Sequence, residues 1–214
     1  MSHYETVLRQ LDLGQAHSGT MCGVSSTKAG FRNRTRQAII DAAGAVLGER
    51  PYASMSEIAE AAEVGRSTLH RYFSDRGELI GAMSEDLLER LDHAIIEAEL
   101  DQGPPREALR RLLHGYYDIG PRVMFVLNEL HADCNEAFYA RFDAAGIPVE
   151  RLLERGRAAG DFDDAMNIDW VRRMLWYLLS AAWDAVAKKA MSRHAAVDSV
   201  VRTLEQGILG RGRA

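Results

Sequence analysis

From Arg32 onward, apolar residues recur at helical spacing, and the five prolines, Pro51, Pro104, Pro105, Pro121 and Pro148, fall only between such stretches. Proline lacks the amide that a helix interior needs but suits a first turn, so this distribution marks helix boundaries. No alternating β-branched run of strand length interrupts the pattern, and the spacing predicts an all-α fold. Helices are expected over about 32–49, 56–62, 67–73, 75–100, 106–119, 122–131, 135–145, 149–159, 168–189 and 193–209. Residues 160–164 read as a capped loop.

Within the first of these helices, Ala38, Ile39, Ala42, Ala43, Val46 and Leu47 are expected on one buried face. Ser56 is the expected N-cap of the second helix, and Asp75 or Ser74 that of the fourth. The fourth helix would span roughly 39 Å at ~1.5 Å per residue, longer than a small three-helix head requires, and so is expected to belong to two domains. Residues 1–30 show no sustained periodicity apart from the short apolar patch Val7 to Leu13, and read as a flexible extension.

A chain of 214 residues that is 47% hydrophobic needs no covalent staples to hold a core. Its two cysteines, Cys22 and Cys134, are far apart, so neither a disulfide framework nor a structural zinc site is expected. The longest apolar stretch, Met174 to Ala187, is interrupted by Asp184 and is too short to cross a bilayer, and Met1 to Cys22 has no basic start followed by an apolar run. The expected location is the cytoplasm, with no membrane partner.

Net charge is −5, but unevenly spread. Lys28 to Arg76 holds 8 basic residues against 6 acidic, whereas Gly77 to Ala214 holds 17 against 23. Phosphate affinity follows local charge, so an acidic body does not prevent binding by a basic head.

That head contains Met55 to Phe73, which has the logic of a helix-turn-helix. Ile58, Ala59 and Ala62 supply the inner face of a first short helix, Val64 plugs the turn, and Leu69 and Phe73 pack from the second. The remaining residues, Arg66, Ser67, Thr68, His70, Arg71 and Tyr72, are expected to point outward, with cationic and hydrogen-bonding groups suited to phosphates and base edges.

Ile58-Ala59 with Ala62, Val64, Thr68-Leu69, Tyr72-Phe73, Arg76 and Leu79 resembles the signature of the tetracycline-repressor (TetR) family of transcription regulators, and the resemblance covers roughly Arg32 to Met83. It implies a three-helix DNA-binding domain over 31–78, followed by a helical effector-binding and dimerisation domain over 79–214. It also implies that Arg76, where the family usually has lysine, donates to a phosphate. Thr35 and Arg36 match the start of the family's first helix, and Lys28, Arg32 and Arg34 form a basic arm able to follow a phosphate strand or enter the minor groove. Three positions depart from the pattern. Glu63 stands where the family has a turn glycine, which strains the backbone if φ is positive there; His70 replaces a common tyrosine; and the segment before Lys28 is long.

The family resemblance implies a ligand-responsive regulator, usually a repressor, that binds double-stranded operator DNA as a homodimer and is released by a small, largely apolar effector. For the dimer, the expected seam is Trp176, Leu179, Trp183 and Val186 on the penultimate helix with Val197, Val201, Leu204 and Ile208 on the last. Effector candidates are Met83, Leu87, His114, Tyr117, Met124, Phe125, Asn128, His131, Trp176 and Trp183, since aromatic and methionine side chains with a few polar groups suit an apolar ligand with one polar handle. Effector binding is expected to shift the fourth helix and so change the spacing of two heads. The cluster Glu129, His131, Asp133 and Cys134 raises an enzymatic or metal-binding alternative, but its spacing cannot present all these groups on one helix side. No catalytic residue, metal or cofactor is expected.

Overall fold

The computed structural model describes residues 25–132 and 135–208, and within them the chain forms ten helices and no strand. They are α1 (Ser25–Glu49), α2 (Met55–Ala61), α3 (Arg66–Tyr72), α4 (Arg76–Glu97), α5 (Pro105–Ile119), α6 (Arg122–Ala132), α7 (Glu136–Ala145), α8 (Ile147–Ala158), α9 (Ile168–Ala187) and α10 (Arg193–Ile208). The all-α expectation holds. A compact unit ends at Arg36 and a second begins at Gln37, so the division falls inside α1. α4 runs without a break across the boundary expected at residues 78 and 79.

α1 begins at Ser25, so the last residues of the expected extension are helical; residues 1–24, with Cys22 and the Val7 to Leu13 patch, lie outside the described residues. Its buried stripe is Ile39, Ile40, Ala43, Gly44 and Leu47, whereas Ala38 is exposed and Ala42 and Val46 are half-buried. The stripe is therefore rotated from the one expected, because Ile40 and Gly44 face inward. A period of 3.6 fixes the width of an apolar face but leaves its edges to the neighbours that cover it.

The N-cap of α2 is Ser54, not Ser56. The Ser54 hydroxyl accepts from the Glu57 amide, and the Glu57 carboxylate accepts from the Ser54 amide, closing a capping box. Of the two expected caps, Asp75 is the one that caps α4, accepting from the Glu78 amide. α4 ends at Glu97, about 33 Å from its start at ~1.5 Å per residue. Its end is held by Arg111, which donates to the carbonyls of Ala98, Glu99 and Gln102. Leu79, Ile80, Met83, Leu87, Leu91 and Ile95 all lie in the core.

α9 and α10 pack on each other within the subunit. Of the expected seam, Leu179, Trp183, Val197 and Leu204 are buried within the subunit, Trp176, Val186 and Val201 are half-buried, and the side chain of Ile208 lies outside the described residues. The face that α9 leaves outward carries Trp170 and Tyr177, 55% and 63% exposed.

Hydrogen bonds from backbone amides hold the carboxyls of Glu57 and Asp75 below their ordinary range. A carboxyl lowered on folding stabilises the fold fully above its unfolded value, near pH 4, and that contribution is lost as pH falls through the lowered value. In an acid titration of helicity, Glu57→Gln, which cannot ionise, is expected to show a shallower loss between about pH 4 and pH 2 than the wild type.

Candidate nucleic-acid interface

α2 and α3 meet over a small core. Ile58, Leu69 and Phe73 are essentially inaccessible and Ala59 is 2% exposed. With one face of α3 fixed by Leu69 and Phe73, Arg66, Ser67, His70 and Arg71 are exposed, Thr68 is half-buried, and Tyr72 packs one side of its ring against the core while staying partly accessible. All six outward-pointing candidates therefore share one short helix. The Arg71 guanidinium lies 5.6 Å from the centroid of the Tyr72 ring, so the two present one cationic, aromatic surface. His70 places Nδ1 3.3 Å from the carbonyl of Ser74, which closes the end of α3 and turns Nε2 outward.

The turn between the helices carries the strain that its sequence foreshadows. Glu63 has φ of 54°, a left-handed conformation that a glycine would adopt without cost. Gly65 precedes α3 and has open space around it: an added Cβ would meet only Ser67 Oγ, at 4.0 Å. The backbone at the start of α3 can thus be approached closely.

Arg76, the phosphate donor implied by the family resemblance, makes contacts within the chain. Its two terminal nitrogens donate to the carbonyls of Ala53 at 2.7 Å and Pro51 at 2.6 Å, and its guanidinium stands 5.9 Å from the centroid of the buried Phe125 ring. It clamps the loop between α1 and α2 to the start of α4, holding Tyr52 fully in solvent between the two captured carbonyls. Sequence reasoning missed Tyr52, since nothing in a local pattern tells an exposed loop aromatic from a core one. Of the proposed arm, Arg32 and Arg34 are exposed on α1 and Thr35 is half-buried; the side chain of Lys28 lies outside the described residues.

The effector candidates do not converge on one place. Met83, Leu87 and Phe125 are buried in the core, and His114 and Asn128 are exposed. Tyr117, Met124 and Trp183 border an open groove of about 910 Å³ beside the turn from α5 to α6, where the Trp183 indole donates to the Tyr117 carbonyl. Trp176 lines a smaller cavity with Leu91, Tyr116, Phe142 and Arg172. There Tyr116 and Trp176 stack with centroids 4.8 Å apart and planes 17° off parallel, and Phe142 adds a third ring 6.0 Å from Trp176. Burial raises the Tyr116 hydroxyl well above the usual tyrosine range, which keeps it protonated. Tyr116 and Phe142 were not among the candidates, because their approach to Trp176 joins three helices. The side chain of His131 and all of Asp133 and Cys134 lie outside the described residues; among the described ones no group of acidic, histidine or cysteine side chains is placed to hold a metal. Nor is any described helix long and apolar enough to cross a membrane.

Residues 39–83 match the family model for bacterial regulatory proteins of the tetR family. Over 184 residues the chain is 38% identical to the HTH-type transcriptional repressor LfrR of Mycolicibacterium smegmatis, an alignment covering 86% of this chain and 95% of LfrR. The chain belongs to the TetR family. It is accordingly a helix-turn-helix regulator and not an enzyme. A second relative, the HTH-type transcriptional regulator NfxB of Pseudomonas aeruginosa, is 34% identical over 127 residues, 58% of this chain and 67% of NfxB. In three dimensions the chain is similar to LfrR crystallised with proflavine, with a TM-score of 0.67 and 37% identity over 82% of this chain and 98% of that one. The TetR assignment accounts for the turn at Glu63, where a glycine is the residue with least strain.

A non-glycine residue in the left-handed region costs on the order of 1 kcal/mol. Glu63→Gly is therefore expected to raise the stability of the protein by about 1 kcal/mol in denaturant titration, with unchanged helicity. An unaltered or lowered midpoint would show that Glu63 makes a compensating contact.

Proposed function

We propose that this TetR-family chain is a homodimeric repressor that reads a two-fold operator with α3 and leaves it on binding a planar, largely apolar effector. The single observation that carries the DNA reading is the division of α3. Leu69 and Phe73 are buried, while Arg66, Ser67, Thr68, His70, Arg71 and Tyr72 occupy the rest of the helix with polar and cationic groups. A helix anchored on one side and polar on the other fits the major groove, where side chains reach base edges and phosphates fix the register. In this reading Arg66, Arg71 and Tyr72 serve the phosphates and nearby bases, Thr68 a base edge, and the arm residues Lys28, Arg32, Arg34 and Thr35 a neighbouring backbone. Arg76 holds the loop preceding α2 instead of competing for a phosphate.

The outward face of α9, with Trp170 and Tyr177, supports a dimer built on the penultimate helix, since large exposed aromatics on one helix face mark an interaction surface. A second copy of the same face would give the isologous contact that a palindromic operator mirrors. DNA fragments selected by the purified protein from a random pool are expected to contain two inverted half-sites. Arg71→Ala and Thr68→Val should relax the preference at one or two positions per half-site, by roughly 1–3 kcal/mol each. Selection of a single unsymmetric site, or variants with unchanged preference, would contradict this reading.

The effector reading rests on the three rings around Trp176. Their cavity measures about 30 Å³, room for a water or two and far below the several hundred Å³ that a drug-sized ligand needs. A planar molecule must therefore part Tyr116 from Trp176 and take the place of one ring face. Leu91 of α4 lines the same cavity, so a widened pocket displaces the helix that begins at the DNA head. Release follows only if the ligand prefers the displaced arrangement, because equal affinity for both shifts nothing. LfrR, crystallised with proflavine, supplies a probe. Proflavine is expected to bind with quenching of its fluorescence and to weaken the operator complex at least tenfold, and Trp176→Ala should abolish both. Binding without any change in DNA affinity would separate the pocket from the switch.

A further inference from the structure

We infer that Arg122, the first residue of α6, is a positioning residue for DNA binding: it locks α1 to α4 through a shared pair of aspartates. This rests on the reading that α3 contacts DNA, since its consequence is the placement of the head that carries α3.

One terminal nitrogen of Arg122 lies 3.2 Å from Asp41 on α1 and 3.3 Å from Asp86 on α4. Arg90, one turn along α4 from Asp86, binds the same two carboxylates, at 2.5 Å to Asp41 and 2.7 Å to Asp86. Gln37 of α1 donates at 2.7 Å to the other oxygen of Asp86, which also accepts from Arg90 at 3.3 Å. The cluster is charge-balanced and well shielded at its centre, the side chains of Asp86 and Arg122 being only 10% and 15% exposed.

The backbone is shaped around it. A Cβ on Gly44 would stand 2.9 Å from the Arg122 guanidinium carbon, and one on Gly48, a turn later, 3.1 Å from Pro121 and 3.2 Å from the Arg122 amide. Side chains at either position would push α1 off the start of α6. A buried ion pair adds little net stability compared with apolar packing, but it is directional and fixes register. Three helices meeting on two carboxylates can keep their hydrogen bonds in few relative positions. Since α1 contributes Ile39, Ala43 and Leu47 to the core and α4 continues directly from the head, that register sets how α3 is presented.

Charge alone predicts the opposite sign for one test. Asp41 is an acidic residue near a DNA-binding head, so removing its charge strengthens phosphate attraction unless the carboxylate has a positioning role. The probe is the duplex that the wild-type protein selects from a random pool. Asp41→Asn and Arg122→Gln are expected to weaken its binding by tenfold or more, with the slope of log affinity against log salt unchanged. Loss of a phosphate contact would instead lower that slope by about one. Arg141→Gln, which removes an exposed ion pair to Glu85 on the same α4, should bind as the wild type does. Affinity that is unchanged or higher in Asp41→Asn, or a reduced salt slope in Arg122→Gln, would overturn the assignment. Amide hydrogen exchange reads the lock without DNA: Arg122→Gln should accelerate exchange over residues 39–48 by tenfold or more, and equal protection in variant and wild type would equally refute it. A wild type that selects no duplex but shows this loss of protection in Arg122→Gln would count against α3 as a reader and not against the lock.

Discussion

Leu69 and Phe73 anchor α3 by one face, and the rest of the DNA-binding surface depends on that burial. Each is essentially inaccessible, and emptying either position would cost several kcal/mol, roughly 2–5, a large part of the stability of a small domain. A seven-residue helix has too few internal hydrogen bonds to persist alone. It exists because these two side chains pack against Ile58 and Ala59, and the same packing forces Arg66, Ser67, His70 and Arg71 outward. The core thus sets the proposed reading face.

α4 then connects that head to the remainder of the chain. Asp75 caps its start, Arg76 reaches back from its first turn to the carbonyls of Pro51 and Ala53, and Leu91 lies at the far end beside the stacked rings of Tyr116 and Trp176. A helix held at its start by directional hydrogen bonds and touched near its other end by a small aromatic cavity suits a lever. Arg76 shows how one residue type serves two ends. Its charge satisfies the family's pattern, but its fork matches two carbonyls, a geometry that the single ammonium of lysine does not reproduce.

Much of this was legible in the sequence. The helix-turn-helix could be read from Ile58, Ala62, Val64, Leu69 and Phe73 because short-range packing follows helical period, and Asp75 as a cap because its hydrogen bond spans three residues. The family's glycine at position 63 flagged that a positive φ there would strain Glu63, and the backbone does adopt one. Ser54 and Glu57 also stand at capping-box spacing, two residues before the expected cap at Ser56. Long-range contacts were not legible. The seam on α9 and α10 has the spacing of a dimer interface, but such spacing does not say whether the covering helix belongs to the same chain or to another; here Leu179 and Leu204 are covered within the subunit. Nor does local pattern reveal that Asp41, Asp86 and Arg122, separated by tens of residues, meet at one point, or that Tyr116 and Phe142 close on Trp176.

The central claim is that α3 lies in a major groove with its polar side against the bases. A crystal structure of the protein on its selected duplex tests this most directly. Two copies of α3 are expected in successive major grooves on one face of the DNA, with centres about 34 Å apart or a multiple of that, and with Thr68 and Arg71 within hydrogen-bonding reach of base edges. A complex in which α3 faces solvent while another element enters the groove would contradict the account.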